Sequence, residues 1–145
     1  MEASKEHIAL IEETWELMAP KGSQITISFY EKLFELAPEV RKMFQKDISK
    51  QAEKLLFTMG FLVSNVNRID EIAPSIEQLG ILHGKAYRVK DEHYQFVIES
   101  LIYTLSHNLE DIWGEEHEKA WRWTLDTVAK IMIKATSDSL SHKVN

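Results

Sequence analysis

The stretch Leu79-Gly80-Ile81-Leu82-His83-Gly84-Lys85-Ala86-Tyr87 places a histidine on the apolar face of a predicted helix. Residues three and four positions apart share a helix face. His83 therefore has apolar neighbours on its inward side, namely Ile76, Leu79 and Ala86. A buried imidazole needs either a hydrogen-bond acceptor or a metal ion as its partner. The pattern alone leaves both partners open, and a hydrogen-bond acceptor is the commoner of the two. The residues elsewhere in the chain have to distinguish between them.

Composition predicts one globular domain and excludes several classes of site. The chain has 145 residues, 44% of them hydrophobic and 28% charged, and we assign residues 1–145 to a single domain. Its net charge of −6 argues against a nucleic-acid partner. No apolar run approaches the ~18 residues of a membrane span, and no signal-peptide pattern opens the chain. The absence of cysteine excludes disulfides and thiolate ligands and fits a reducing cytoplasm.

The spacing of apolar residues predicts an all-α fold of about seven helices, with few glycines and prolines to interrupt them. We place the helices at about 4–19, 23–36, 37–44, 50–66, 74–87, 91–107 and 116–135. Ser4, Ser49 and Asp91 are the predicted N-caps. Pro74 is expected to open the helix of His83 after a loop at 65–71, and the polar tail after about residue 137 is expected to fray.

Two further polar residues fall at inward positions. Gln51 lies on the apolar face of its helix, and Tyr30 follows the inward Phe29. A buried amide or hydroxyl needs a hydrogen-bond partner, which a carbonyl or a water readily supplies to either one alone. Together with His83, however, they indicate a cavity with a metal-binding base on one wall and two neutral donors on the other.

Several separated motifs share one order and spacing. They are Trp15, Phe29-Tyr30, Leu36-Ala37-Pro38-Glu39-Val40-Arg41, Met43-Phe44, Leu79-Gly80-x-x-His83, Val89, Tyr94 and Ala120-Trp121. This set resembles the globin family, most closely bacterial single-domain globins and the haem domain of flavohaemoglobins. The resemblance covers about residues 6–135. It implies a globin fold whose helices pack around a non-covalent b-type haem.

The resemblance implies a role for each matching position. His83 matches the proximal iron ligand, and we expect the Leu79 carbonyl to accept a hydrogen bond from its other ring nitrogen. The positions over the sixth coordination site are Tyr30, Gln51 and Leu55. The haem-contacting positions are Phe44, Lys54, Leu55, Met59, Leu79, Val89, Tyr94 and Val97. Of these, Phe44 is expected to pack flat on the porphyrin, and Lys54 either to meet a propionate or to lie in solvent.

Two departures from the family pattern bear on the chemistry. No histidine lies between His7 and His83, so Gln51 stands in the position of the usual distal histidine. Flavohaemoglobin-type domains use a glutamate on the last helix to strengthen the proximal histidine, and the corresponding position here is Thr136. With a threonine at this position, we do not expect the proximal histidine to donate electrons strongly to bound oxygen.

The remaining histidines show no metal-ligand spacing. We expect four of them to be ordinary surface residues, namely His7, His107, His117 and His142. His93 should face away from the pocket, because its neighbour Tyr94 faces toward it. No catalytic residue is assigned.

The distal pair predicts how the pocket would treat its ligands. Iron-bound O₂ carries partial negative charge, and the donors of Tyr30 and Gln51 act on it in a medium of low dielectric constant. They would hold O₂ by roughly 1–3 kcal/mol more than an apolar pocket, which slows its release roughly 10–100-fold. We therefore expect reversible, high-affinity binding of O₂, with NO and CO as further ligands. Water, Tyr30 and Lys54 remain open as the resting sixth ligand.

Two other functions compete with O₂ binding. One is an enzyme, either NO dioxygenase-like or peroxidase-like, which would need an external reductase because this chain carries no flavin or nicotinamide module. The other is a haem-free globin-fold regulatory module. The simultaneous presence of His83, Phe44, Tyr30 and Gln51 disfavours the haem-free module.

Overall fold

Within the residues that it describes, the computed structural model contains six α-helices and three short 3₁₀ helices. It describes the backbone of residues 4–85 and 87–144 and the side chains of residues 4–85 and 87–140. The α-helices are α1 (Lys5–Met18), α2 (Gly22–Leu36), α3 (Ser49–Ser64), α4 (Ile69–Lys85), α5 (Asp91–Asn108) and α6 (Glu115–Val144). The 3₁₀ helices are Ala19–Lys21, Pro38–Met43 and Val66–Arg68. No residue in the described ranges belongs to a strand, which confirms the predicted all-α class.

The first helix begins where the sequence predicts. The Ser4 hydroxyl accepts the backbone N–H of His7 at 3.1 Å, which satisfies one of the free donors of the first turn. Pro20 lies in the first turn of a 3₁₀ helix, where its missing N–H is tolerated. The predicted short helix after Ala37 is also present, as the 3₁₀ helix that opens at Pro38.

The helix that carries His83 begins at Ile69, so the predictions of a start at Pro74 and of a loop at 65–71 are wrong. Val66 and Ile69 are buried in the core, and their burial fixes the segment against the rest of the fold. It outweighs the hydrogen bond that Pro74, inside the helix, cannot donate. Asp70 in the first turn adds a favourable interaction with the helix dipole.

Two predicted caps are replaced by neighbouring residues. The Asp47 carboxylate, not the Ser49 hydroxyl, satisfies the start of α3 by accepting the Ser49 N–H at 3.0 Å. At α5 the predicted cap Asp91 lies inside the helix, and the Nδ1 of His93 accepts the Lys90 N–H at 3.0 Å. His93 is buried in this role. It reaches back from the third helical position, as the glutamate of a capping box does.

The last helix is longer than predicted. It was expected to end near Ala135 and to fray after Ser137, but α6 continues to Val144. An ion pair between Lys134 and Asp138 at 3.0 Å joins consecutive turns there, and such a pair favours helix over coil.

Helix pairing places the core and the candidate site. α4 packs on α6, α2 on α3 and α5, and α1 on α3 and α6. Trp121, Ile11 and Leu105 are among the most deeply buried side chains. The residues of the candidate site lie on α2, α3, α4 and α5 and on the segments between α2 and α3 and between α4 and α5. Among the described residues, no helix has the combined length and apolar character that a membrane span requires.

Candidate functional site

His83 projects from the last turn of α4 with one ring nitrogen engaged. Its Nδ1 lies 2.8 Å from the Leu79 carbonyl oxygen, so the hydrogen bond that we expected is present. A carbonyl can only accept, so Nδ1 carries the proton and donates it. The neutral ring then keeps a lone pair on Nε2, the atom that can ligate a metal.

Burial keeps this imidazole neutral. Desolvation lowers the pKa of His83 below the ordinary value of a histidine, although the bond to the Leu79 carbonyl acts in the opposite direction. Among the described residues, no group of three or more His, Asp or Glu side chains lies close enough to hold a metal ion. An imidazole whose Nε2 is free suits a metal whose other ligands come from a prosthetic group, as in haem.

The backbone that follows His83 turns sharply. Arg88 has a φ of 56°, in the left-handed region that a non-glycine residue enters only at some energetic cost. The Val89 N–H donates to the His83 carbonyl at 2.9 Å, and the ring of Tyr87 meets the imidazole edge-on at 5.4 Å between centroids. These contacts fix the end of α4. Ala86, which we predicted on the inward face, lies outside the described residues.

The structure brings three of the predicted site residues together, on α2, on α3 and on the segment between them. Tyr30 on α2 is 3% exposed, and its hydroxyl oxygen is 3.5 Å from the backbone carbonyl oxygen of Gln51 in the first turn of α3. The ring of Phe44 meets Tyr30 edge-on at 5.4 Å. A hydrogen bond of 3.5 Å is at the limit of usefulness, so the Tyr30 hydroxyl remains available to a better acceptor.

Tyr30 keeps its proton in this setting. Burial raises the pKa of Tyr30 to about 12, since the charged phenolate is disfavoured away from water. Phe29 and Phe34 flank its ring, with centroids 4.8 and 6.0 Å away. The side chain is therefore a neutral donor held by an aromatic cluster.

Arg41 holds the segment that presents Phe44, and sequence reasoning did not assign it this role. Its guanidinium donates to the carbonyls of Gln45 and Lys46, both at 2.9 Å, and more weakly to that of Phe44 at 3.4 Å. The same group lies over the ring of Phe34, 4.9 Å from its centroid. In the sequence, this role is indicated only by the position of Arg41, a few residues before the segment whose carbonyls its several N–H donors can reach.

Most of the other predicted positions share one apolar cluster. Six of them are buried in it or pack against it, namely Phe44, Leu55, Met59, Leu79, Tyr94 and Val97. Val89 is partly buried, and Lys54 is exposed on α3. These six positions therefore belong to the hydrophobic core of the chain, whereas Lys54 is exposed to solvent.

Tyr94 contributes a hydroxyl that is buried without a hydrogen-bond partner in the described part of the chain. Burial, reinforced by the charge of Asp91, raises its pKa to about 12. A buried donor without a hydrogen-bond partner is unfavourable, and a bound group that accepts a hydrogen bond from it would be favoured here. Haem fits this site, because it combines a large apolar surface, a polar edge and an iron that takes one imidazole nitrogen.

Thr136 lies beside α4 but does not reach the imidazole. Its hydroxyl donates to the Gly80 carbonyl at 2.8 Å, one residue beyond the carbonyl that His83 uses. The α6 position that we compared with the glutamate of flavohaemoglobin-type domains therefore supplies a neutral contact to the α4 backbone.

Comparisons with known proteins identify a family and several relatives. The globin family profile matches residues 27–132. A globin-like protein of Aquifex aeolicus is 32% identical over 90% of this chain and 91% of its own, and an anaerobic nitrite reductase of Gossypium hirsutum is 27% identical over 94% of each chain. A flavohemoprotein of Vibrio cholerae is 26% identical over 90% of this chain, which spans 34% of that protein. The structure of a bacterial globin from Campylobacter jejuni superposes with a TM-score of 0.83 at 25% identity, over 95% of this chain and 99% of the other.

Proposed function

The chain belongs to the globin family, whose members bind haem, and from this premise we propose that it holds haem b non-covalently and binds O₂ reversibly. NO and CO are further ligands in this proposal. His83 ligates the iron, and Tyr30 and Gln51 line the ligand side. The observation that carries the proposal is the bond from His83 Nδ1 to the Leu79 carbonyl at 2.8 Å, which leaves Nε2 as a free ligand.

The haem contacts in this proposal are the apolar residues of the shared cluster together with two residues at its edge. Contacts to the porphyrin would come from Phe44, Leu55, Met59, Leu79, Val89, Tyr94 and Val97, and Lys54 would meet a propionate. Bound haem supplies the ferrous iron at which a diatomic ligand binds. The residues of this chain then exclude water and donate hydrogen bonds to that ligand.

Tyr30 and Gln51 determine the affinity in this proposal. The Tyr30 hydroxyl is protonated, and its bond to the Gln51 carbonyl oxygen is long at 3.5 Å, so a partially negative ligand offers it a stronger acceptor. The Gln51 side chain is half-buried at the same end of α3 and adds an amide donor. Slow release suits the scavenging of O₂, or chemistry on it, better than bulk delivery.

Removal of the imidazole tests the central claim. We expect His83→Gly to lose the haem absorption band of the unmodified protein, and added imidazole to restore it by filling the space of the missing ring. His107→Gly is the matched control, because it removes an exposed histidine in the last turn of α5. An absorption spectrum of His83→Gly identical to that of the unmodified protein would overturn the assignment.

Catalysis with an external reductase is the second candidate. It is favoured by the match to a flavohemoprotein and to proteins named anaerobic nitrite reductases. The candidate reactions are NO with O₂ and one electron to give nitrate, nitrite with one electron and two protons to give NO and water, or reduction of a peroxide. Sustained turnover with a reductase separates these from stoichiometric consumption by a binding protein.

A further inference from the structure

α4 and α6 touch through two glycines, four residues apart, on the face of α4 that meets α6. A Cβ atom on Gly80 would lie 2.5 Å from Met132 Cα and 2.6 Å from the Met132 carbonyl oxygen, and one on Gly84 would overlap the Thr136 γ-methyl. Gly80 therefore meets backbone, which cannot move aside. The close approach of the two helices here requires that both positions lack a side chain.

A hydrogen bond joins the helices at this crossing. The Thr136 hydroxyl lies 2.8 Å from the Gly80 carbonyl on α4 and 3.1 Å from the Met132 carbonyl on its own helix. A hydroxyl has one proton to donate, and the shorter distance favours the bond between the helices. Thr136 thus bonds to the residue after Leu79 and packs on the residue after His83.

We propose that Thr136 is a positioning residue for His83. It fixes the last turn of α4 on α6 through its bond to Gly80 and its contact with Gly84, so that the imidazole keeps its direction and its bond to the Leu79 carbonyl. This inference rests on the proposed role of His83 as the iron ligand. The inference adds that a residue on another helix, Thr136, determines how His83 is held.

The first test separates the bond from the packing. Thr136→Val keeps the shape of the side chain and removes the donor, whereas Thr136→Ser keeps the donor and removes the methyl group. Thr127→Val is the matched control, because the Thr127 hydroxyl donates to the Trp123 carbonyl of its own helix, at 2.7 Å, and the substitution therefore removes a bond within α6. In haem-free protein, we expect exchange of the His83 Nδ1 proton, followed by NMR, to become about two- to tenfold faster in Thr136→Val.

The spectroscopic signature of the iron–imidazole bond provides a readout that a purely structural role would not move. In ferrous haem-loaded protein, the iron–imidazole stretching band should shift in Thr136→Val and return toward its original position in Thr136→Ser. An unshifted band in Thr136→Val, or an equal shift in Thr127→Val, would overturn the inference. A protein that lacks a haem band altogether would instead overturn the proposed function, and the haem-free exchange rates would still test the positioning.

A second pair of variants keeps the inference falsifiable if Thr136→Val folds poorly. Gly84→Ala should drive α4 away from α6 by collision with the Thr136 γ-methyl, and so speed exchange of the His83 Nδ1 proton. Combining it with Thr136→Ser removes that methyl group and should restore slow exchange in part. No rescue by the double substitution would contradict the proposed contact.

Discussion

The His83 side and the Tyr30 side of the proposed haem site are held in opposite ways. On the His83 side, Nδ1 is 2.8 Å from its acceptor and the neighbouring Gly80 carbonyl is bonded across helices at 2.8 Å. On the Tyr30 side, the hydroxyl is 3.5 Å from its acceptor. The short bonds fix the group that would hold a metal, and the long bond leaves a donor available for a ligand. This difference suits a site that keeps its cofactor and exchanges what binds to it.

The largest expected effect is on the His83 side, which the short hydrogen bonds make the more rigid of the two. Gly80→Ala places a Cβ against the Met132 backbone, and we expect the free energy of unfolding of the haem-free protein to fall by about 1–3 kcal/mol, as for an overpacked core. Gly114→Ala is the control, because the nearest atom to a Cβ there is 4.0 Å away. Urea denaturation measures both. Equal stability of the two variants would show that the helix crossing adjusts and that the His83 side is not rigid.

The next effect tests the available donor. Tyr30→Phe removes the hydroxyl and leaves the aromatic cluster, and we expect O₂ dissociation to become about tenfold faster, the effect of one charge-assisted hydrogen bond. Tyr103→Phe is the control, since Tyr103 is 41% exposed. Stopped-flow mixing of the oxygenated protein with CO gives the rates. An unchanged rate for Tyr30→Phe would mean that the long bond to Gln51 has no functional meaning.

Local sequence pattern predicted the features that depend on one helix at a time. The Leu79 carbonyl is one turn before His83, so its bond to the imidazole could be expected from helix geometry alone. Tyr30, Gln51 and Phe44 needed the family spacing as well, because nothing local says that α2 and α3 meet. Their contacts are now seen, whereas their roles toward haem remain proposals.

The features that could not be predicted from the sequence depend on tertiary contacts. α4 starts at Ile69 because that segment is buried against the core. In the sequence, the proline at position 74 indicates a later start instead. The imidazole of His93 caps the start of α5 from a position where the usual signal is a glutamate or a glutamine. The bond from Thr136 to Gly80 spans 56 positions, and no periodic pattern predicts which carbonyl an α6 hydroxyl will meet.

A smaller effect concerns the donor that has no protein partner. Tyr94→Phe removes a buried, unpaired hydroxyl, so the haem-free protein should gain about 1 kcal/mol in its free energy of unfolding. If haem supplies the missing partner, this gain should vanish in the haem-loaded protein. Denaturation of both forms measures the difference. A haem-free variant less stable than the unmodified protein would show that the Tyr94 hydroxyl is satisfied by something other than haem.

The smallest effect is an expected absence of pH dependence on the Tyr30 side. Burial raises the pKa of Tyr30 to about 12, so its folded-state pKa lies above the unfolded value of about 10. The hydroxyl therefore keeps its proton between about pH 7 and about pH 10, and the O₂ dissociation rate should stay flat over that interval. A tyrosine with an ordinary pKa would be half ionised at the upper limit, and release would speed up there. Such an increase, absent in Tyr30→Phe, would mean that Tyr30 is far less shielded from water than its 3% exposure implies.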